Sequence, residues 1–295
     1  MTDNLFEKAI VFTDIHYGLK QNSHQHLKDC SDFVDWFIEE GKLRGAETCF
    51  FLGDWHHHRA SVNVATLNAS YKDLKKLNQA FEKVYFILGN HDLFYRETRD
   101  VNSVEFVKEL PNIILIDSVL SEGDCTFVSW LVGDEWKKIP KIKSKYMFGH
   151  FELPTFKLNA MVEMPDHGGL KSEMFTNQEF VFSGHFHHRQ IKGNVIYTGN
   201  AFPHNFSDAG DDERGWMFLE WGSEPEFFAW PNAPKYKNIT LSDLLVDPSK
   251  YLLPKTTARI TLDIDISYEE ANFIKDTFIE AYDLRDISLQ PMKNT

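Results

Sequence analysis

The sequence predicts an α/β fold with parallel strand pairing, on three observations. Short runs of β-branched and aromatic residues recur along the first two hundred positions, and each closes on a polar cluster. Helix-length amphipathic stretches separate the first three runs. Strand–helix–strand–helix–strand at this spacing calls for right-handed crossovers, and so for parallel neighbours. The 295 residues suffice for one large domain with a small appendage.

Taken in order, Ala9–Phe12 leads into Thr13-Asp14-Ile15-His16, and Thr48–Leu52 into Gly53-Asp54. Val84–Leu88 leads into Gly89-Asn90-His91-Asp92, Lys145–Phe148 into Gly149-His150, and Phe180–Ser183 into Gly184-His185-Phe186-His187. Between the first runs, His24–Glu40 carries Leu27, Val34, Phe37 and Ile38 at helical spacing, with Gly41 expected to stop it. Ala65–Phe81 carries Leu67, Leu74, Leu77 and Phe81 in the same way. After Val195 the pattern changes. Val195–Thr198, Trp216–Glu220 and Glu226–Ala229 are short strands without intervening helices, expected in a more antiparallel arrangement. The division expected is a main domain over 1–230, a proline-marked connector over 231–256 and a βαβ-sized piece over 257–295. Within that last piece, 257–266 and 287–290 read as strands and 268–281 as a helix.

Composition narrows the function. Lys and Arg number 31 against 44 Asp and Glu, a net charge of −13. An acidic surface repels nucleic acid and anionic membranes, which counts against a simple electrostatic DNA binder. It does not count against an enzyme that holds phosphate through metal ions. Cys30, Cys49 and Cys125 are scattered and odd in number, which excludes a disulfide framework and fits a reducing compartment. No apolar run approaches the roughly 20 residues that span a bilayer. The opening MTDNLFEKAIVF lacks a basic signal-peptide region, so the expected compartment is the cytoplasm, with no membrane partner.

Every one of the five runs ends in metal-capable side chains. In a parallel α/β sheet the C-terminal strand ends meet at one crevice, which would gather Asp14, His16, Asp54, Asn90, His150, His185 and His187. Asp14 and His16 are two apart, as are His185 and His187, so extended backbone would face each pair to one side. Carboxylate, amide oxygen and imidazole without thiolate suit Mn²⁺, Fe or Zn rather than a structural cysteine site. Seven ligands exceed the four of one tetrahedral ion. Two ions bridged by Asp54 would use them all, at the roughly 3.5–4 Å separation of two-metal hydrolases, and would activate water against phosphorus. His91, next to Asn90, is placed to protonate the leaving oxygen, with Asp92 expected to orient it.

DIH at 14–16, GDWHH at 53–57, GNHD at 89–92, GH at 149–150 and GHFH at 184–187 resemble the calcineurin-like metallophosphoesterase signature in its usual order. NHDLFYRETRDVNS, FGHFELPTF, DHGG at 166–169, VFSGHFHHRQIKGNVIYTGN and NFSDAGDDERGW are similar to the SbcD-type double-strand-break nucleases, in particular their phage recombination branch. The likeness covers about Lys8 to Trp230. It implies two packed mixed β-sheets flanked by helices, followed by a small capping domain. It implies one metal on Asp14, His16, Asp54 and His187, a second on Asp54, Asn90, His150 and His185, and His91 as the catalytic histidine. Break-repair nucleases often carry a His tied to exonuclease action three positions after the bridging Asp. Here that is His57, where phage relatives more often have Asp. The implied cofactor is a pair of Mn²⁺ ions, with Mg²⁺, Fe²⁺ or Zn²⁺ as alternatives. The implied activity is 3′–5′ exonuclease and single-strand endonuclease action on DNA, in phage recombination, repair or replication. The implied partners are an SMC-like, SbcC-type ATPase and a second copy of the chain, in the host cytoplasm if the gene is phage-borne. The family's cap and ATPase-docking helices normally extend further than Thr295.

Arg96 and Arg99, just after GNHD, are candidate contacts to a DNA backbone, and Phe94 and Tyr95 to a base. Lys137, Lys138, Lys141, Lys143 and Lys145 form the most basic run, read by default as a solvated face. His56 and His58 are expected as surface histidines and His188 at the site rim, while His167 and His204 lie in segments shared with the phage branch. A small-molecule or nucleotide phosphodiesterase or phosphatase uses the same site. Ser/Thr phosphatases usually carry Arg before GNH and Glu after it, where Leu88 and Asp92 stand here. A non-catalytic DNA-binding scaffold normally shows lost ligands, and all seven are present.

Overall fold

In the computed structural model, which describes residues 4–159 and 161–292, the apolar runs become strands of two six-stranded sheets. The strands are β1 (Lys8–Phe12), β2 (Thr48–Phe51), β3 (Lys83–Ile87), β4 (Ile113–Ile116), β5 (Val119–Glu122) and β6 (Cys125–Val128). They continue with β7 (Tyr146–Gly149), β8 (Phe180–Ser183), β9 (Gln190–Lys192), β10 (Val195–Tyr197), β11 (Gly215–Glu220) and β12 (Glu226–Ala229). The first sheet runs β12-β11-β1-β2-β3-β4, with β1 to β4 parallel and β11 and β12 antiparallel. The second runs β5-β6-β7-β8-β10-β9, parallel from β6 to β10 and antiparallel at both edges. Two packed mixed sheets are what the family resemblance implies, whereas strand spacing alone suggests a single parallel sheet. Three of the five ligand-bearing runs belong to the first sheet and two to the second.

Side-chain alternation explains the packing. Phe50 on β2 points between the sheets, 4.5 Å from the Phe148 ring and 5.1 Å from Phe127. Its neighbour Phe51 points the other way, onto Phe12 and Trp55. Phe12 meets Phe37 of the helix His24–Arg44 at 4.5 Å, so this helix covers the outer face of the first sheet. The helix does not stop at Gly41. It continues to Arg44, and Gly45 caps it with φ 67°. Gly41 has a packing reason instead: a Cβ there would stand 3.1 Å from the Phe81 ring. The second helix spans Val64–Ala80, with the Asn63 side chain accepting from Ala65 N at 2.9 Å.

The chain divides into two compact units, Met1–Ala201 with Arg214–Trp230, and Phe202–Glu213 with Pro231–Thr295. The stretch expected as a connector is structured. It holds β13 (Lys235–Thr240) and the short helices Leu241–Val246 and Pro248–Tyr251. β13 pairs in parallel with β14 (Thr256–Leu262), and β14 with β15 (Asp286–Pro291). The prolines mark element boundaries rather than an absence of elements. Pro234 precedes β13, Pro248 opens a helix and Pro254 precedes β14. The helix Tyr268–Ala281 crosses between β14 and β15 and begins at a Ser267–Glu270 capping box. Ile239, Leu244, Ala258, Ile260 and Ile287 form this unit's core.

Candidate metal centre

The loops after β1, β2, β3, β7 and β8 meet at one place, all within the first unit. Loop 13–17 is laced to loop 53–57 by main-chain hydrogen bonds from Asp14 N to Gly53 O, His16 N to Asp54 O and Tyr17 N to Trp55 O, at 2.7–3.1 Å. Asp14, His16, Asp54 and His185 have left-handed φ values of 52°, 52°, 61° and 92°. Asp14 and His16 therefore converge through a left-handed turn, not through the alternation of extended backbone. Such residues cost about 1–3 kcal/mol each and collect at functional sites. Gly53 and Gly89 make the close approach possible. A Cβ on Gly53 would lie 2.5 Å from His150 Nδ1, and one on Gly89 2.1 Å from Asp54 Oδ1.

All seven expected ligands come together in two abutting clusters. In the first, His16 Nε2 lies 3.6 Å from Asp14 Oδ1 and 3.2 Å from His187 Nε2, with His187 Nε2 3.6 Å from Asp14 Oδ1. In the second, Asn90 Oδ1 lies 3.2 Å from His150 Nε2 and 3.1 Å from His185 Nδ1. Asp54 Oδ2 is common to both, 3.6 Å from His16 Nε2 and 3.4 Å from His150 Nε2.

The residues fit divalent cations. Atoms about 2.1 Å from one ion stand roughly 3.0–3.4 Å apart at adjacent corners of an octahedron or tetrahedron, close to the separations found. Asp14 Oδ1 is buried and accepts no hydrogen bond, while Oδ2 accepts from Thr13 Oγ1 at 2.6 Å and His185 N at 3.0 Å. His150 Nδ1 donates to the Leu52 carbonyl at 2.7 Å, which leaves Nε2 as the ligating nitrogen.

Electrostatics agree with a cation-binding site. Burial pushes Asp14 up, but His16 and His187 beside it hold its carboxyl well below the usual range. Asp54 is likewise held low against its burial by His150. Burial lowers His16, and lowers His185 with Glu152 opposing. Burial also disfavours a charged His150, yet Asp54 and Asp14 raise it to about 9.

The other expected site residues divide. His91 Nδ1 donates to the His57 carbonyl at 2.7 Å, and its ring lies 4.9 Å from that of His16. His57 stacks on His91 at 5.1 Å and puts its Nδ1 3.3 Å from His16 Nδ1. Burial and the neighbouring histidines lower His57 to about 3. Asp92 does not orient the His91 ring as expected. Both of its oxygens accept main-chain N–H groups, from Gly89 and Asp54 on one and Trp55 and His56 on the other, at 2.9–3.1 Å. Burial and the Asp54 charge push its pKa up to about 7, and these amides oppose them.

His56 is not a surface residue. It is buried, 2.8 Å from the hydroxyls of both Ser70 and Ser103, whereas His58 is exposed as expected and donates to the Gly18 carbonyl. Arg99 is not free for DNA. Its guanidinium is held bidentately by Glu135 at 2.7 Å and by the Trp130 carbonyl. Arg96, Tyr95 and Phe94 are exposed. Lys137 pairs with Asp134 and Lys145 with Glu179, and the lysine run borders solvent. His167 and His188 are exposed, whereas His204 is buried in the second unit beside Phe202.

Sequence reasoning missed Glu152 and Trp130. Glu152 Oε1 lies 3.3 Å from His185 Nε2, and the Trp130 ring 5.2 Å from that of His185. The spacing of Gly149-His150-Phe151-Glu152 repeats that of Gly184-His185-Phe186-His187, which was a usable signal for Glu152. No local pattern marks Trp130.

A family model described as calcineurin-like phosphoesterase matches residues 8–189. Exonuclease subunit 1 of Enterobacteria phage T4 is 26% identical over 220 residues, which is 72% of this chain and 64% of that protein. The chain thus spans under two thirds of that relative's length. A nuclease named MPE from Pseudomonas putida is similar at 19% identity and a TM-score of 0.35, over 64% of this chain and 66% of its own. The E. coli phosphoesterase Yfce is similar at 16% identity and a TM-score of 0.41, over 77% and 94%. A dimetal phosphatase from Danio rerio is similar at 11% identity and a TM-score of 0.43, over 74% and 93%.

Proposed function

The chain belongs to the calcineurin-like phosphoesterase family, metal-dependent hydrolases of phosphoester bonds, and from that premise we propose that it is a DNA nuclease subunit. The observation that carries the reading is the pair of clusters joined at Asp54 Oδ2. Asp14, His16, Asp54 and His187 would hold one divalent ion, and Asp54, Asn90, His150 and His185 the other, Mn²⁺ in our reading. Such ions polarise a phosphoryl oxygen and lower the pKa of bound water.

The chain's own residues do the remaining work. The Leu52 carbonyl fixes the His150 ring, and Glu152 turns His185 through its Nε2. The His57 carbonyl holds the proton on His91 Nδ1, so a proton for the leaving oxygen would come from Nε2 of the doubly protonated ring, which is left as the neutral Nδ1–H tautomer. Asp54 Oδ1 accepts from His91 N at 2.8 Å, which ties the acid to the shared ligand. His57 and Asp92 act as positioning residues, His57 through its carbonyl and Asp92 through the loops it joins. Arg96 and Tyr95, both exposed, are the remaining candidates for DNA contact.

The T4 relative is called an exonuclease subunit, which supports DNA as substrate and a partner protein. We read the activity as 3′–5′ exonuclease and single-strand endonuclease, and the partners as an SMC-like ATPase and a second copy of the chain. The net charge of −13 favours a second reading, a nucleotide phosphodiesterase with no polyanion to hold.

The test is a gel with Mn²⁺ and 5′-labelled duplex and single-stranded DNA. A ladder shortening from the 3′ end is expected. In His91→Ala it should slow by about 100-fold or more, the usual size of a general-acid contribution, with calorimetric Mn²⁺ binding retained. DNA left intact by protein that hydrolyses a nucleotide diester would favour the second reading. Full activity in His91→Ala would remove its role.

A further inference from the structure

Beside the metal centre lies a cleft of about 160 Å³ lined by Trp130, Leu131, Trp136, His150, Glu152 and Leu170 among others. His150 faces both, so whatever enters the cleft sits next to the second ligand cluster. The Trp130 ring lies 5.2 Å from that of His185 and 6.0 Å from that of His150. A cleft of this size walled by two indole rings suits one flat heterocycle.

The cleft is also held rigid. Trp130 N donates to the Leu88 carbonyl on the loop that carries Asn90, at 2.8 Å. Arg99 then ties the two ends of the aromatic segment together. It donates to the Trp130 carbonyl and the Asp117 carbonyl, and its fork closes on Glu135, next to Trp136. Glu135 Oε2 also accepts from Val132 N at 2.9 Å. An aromatic surface fixed before binding loses little entropy when a planar ring stacks on it.

We propose that this cleft takes the nucleobase of the nucleotide whose phosphate is cleaved, stacked against Trp130 and Trp136. The proposal rests on the nuclease reading above and adds a subsite to it. Stacking tolerates every base, so the pocket selects nucleotides over base-free phosphodiesters rather than one sequence over another. Arg99 is then a positioning residue for the pocket.

The test compares two labelled oligonucleotides in Mn²⁺, with a normal base or a tetrahydrofuran abasic unit at the cleaved nucleotide. Wild-type protein should favour the base-bearing strand in kcat/KM by about 10- to 100-fold, within the range one base–aromatic stack contributes. Trp136→Ala should bring that ratio close to one, and Trp136→Phe should largely keep it. An unchanged ratio in Trp136→Ala, or an equal fall on both substrates, would overturn the proposal. Tryptophan fluorescence gives a readout without turnover. Deoxyadenosine monophosphate should quench wild-type emission and deoxyribose 5-phosphate should not, and Trp136→Ala should abolish the difference. If wild type cleaves no DNA yet shows this quenching, the nuclease reading fails and the base pocket stands. Equal quenching by both compounds would remove the pocket.

Discussion

Asp92 directs both carboxylate oxygens at main-chain amides of two separate loops, and this gives it more structural weight than its place in GNHD suggests. Asp92→Asn keeps the shape but turns an NH₂ toward amide donors. Leaving buried N–H groups unpaired costs about 1–3 kcal/mol each. We expect Asp92→Asn to lose about 3 kcal/mol in urea unfolding and to weaken divalent-ion binding, because the loops bearing Asp54 and Asn90 lose their tie. A variant as stable as wild type would refute the brace. At this scale the sequence was most legible for ligands. Asp14, His16, Asp54, Asn90, His150, His185 and His187 do converge on one place, because short apolar runs ending in Gly and polar residues mark strand tips. It was least legible for Asp92, Arg99 and His56. Gly89 apart, their partners lie 14 to 47 residues away in sequence, and no local pattern encodes such pairings.

Between elements, His56 joins the loop after β2 to the helix Val64–Ala80 through Ser70, and to the 90–103 loop through Ser103. Burial lowers its pKa from 6.5 to about 3, and burial lowers His26 to about 4. Both histidines fold neutral and would take up protons on unfolding. Their contribution is therefore complete above about pH 6.5 and is lost as pH falls toward 4, at about 1.4 kcal/mol per pH unit for each. Urea melts between pH 7 and pH 4 should show this slope, and His56→Gln should reduce it by about one proton's worth. An identical slope in the variant would sink the assignment. The helices and strands themselves followed the hydrophobic periodicity closely. Gly41 misled because a glycine inside a helix can serve a packing neighbour, here Phe81, as well as a helix end. The prolines of 231–254 misled because they flank elements as often as they prevent them.

Across the molecule, a net charge of −13 surrounds a centre whose buried carboxylates, Asp14 and Asp54, have histidines as their ion-pair partners. Divalent ions should therefore stabilise the folded chain. Each site adds about 2.7 kcal/mol at an ion concentration 100 times its Kd. Calorimetric melts in EDTA and in Mn²⁺ should differ by several degrees, with the difference lost in Asp54→Asn, which damages both clusters. No Mn²⁺ effect on wild-type melting would argue against an occupied centre. The sequence by itself determined the α/β class, the residues that gather at the proposed centre and the phosphoesterase family signature, because each is written in local runs of a few residues. Only the tertiary structure decided that the ligand-bearing strands divide between two sheets, that left-handed turns rather than strand alternation aim Asp14 and His16, and that an aromatic cleft lies beside His150. Those features depend on which distant segments pack together, and packing between segments leaves no periodic trace in either one.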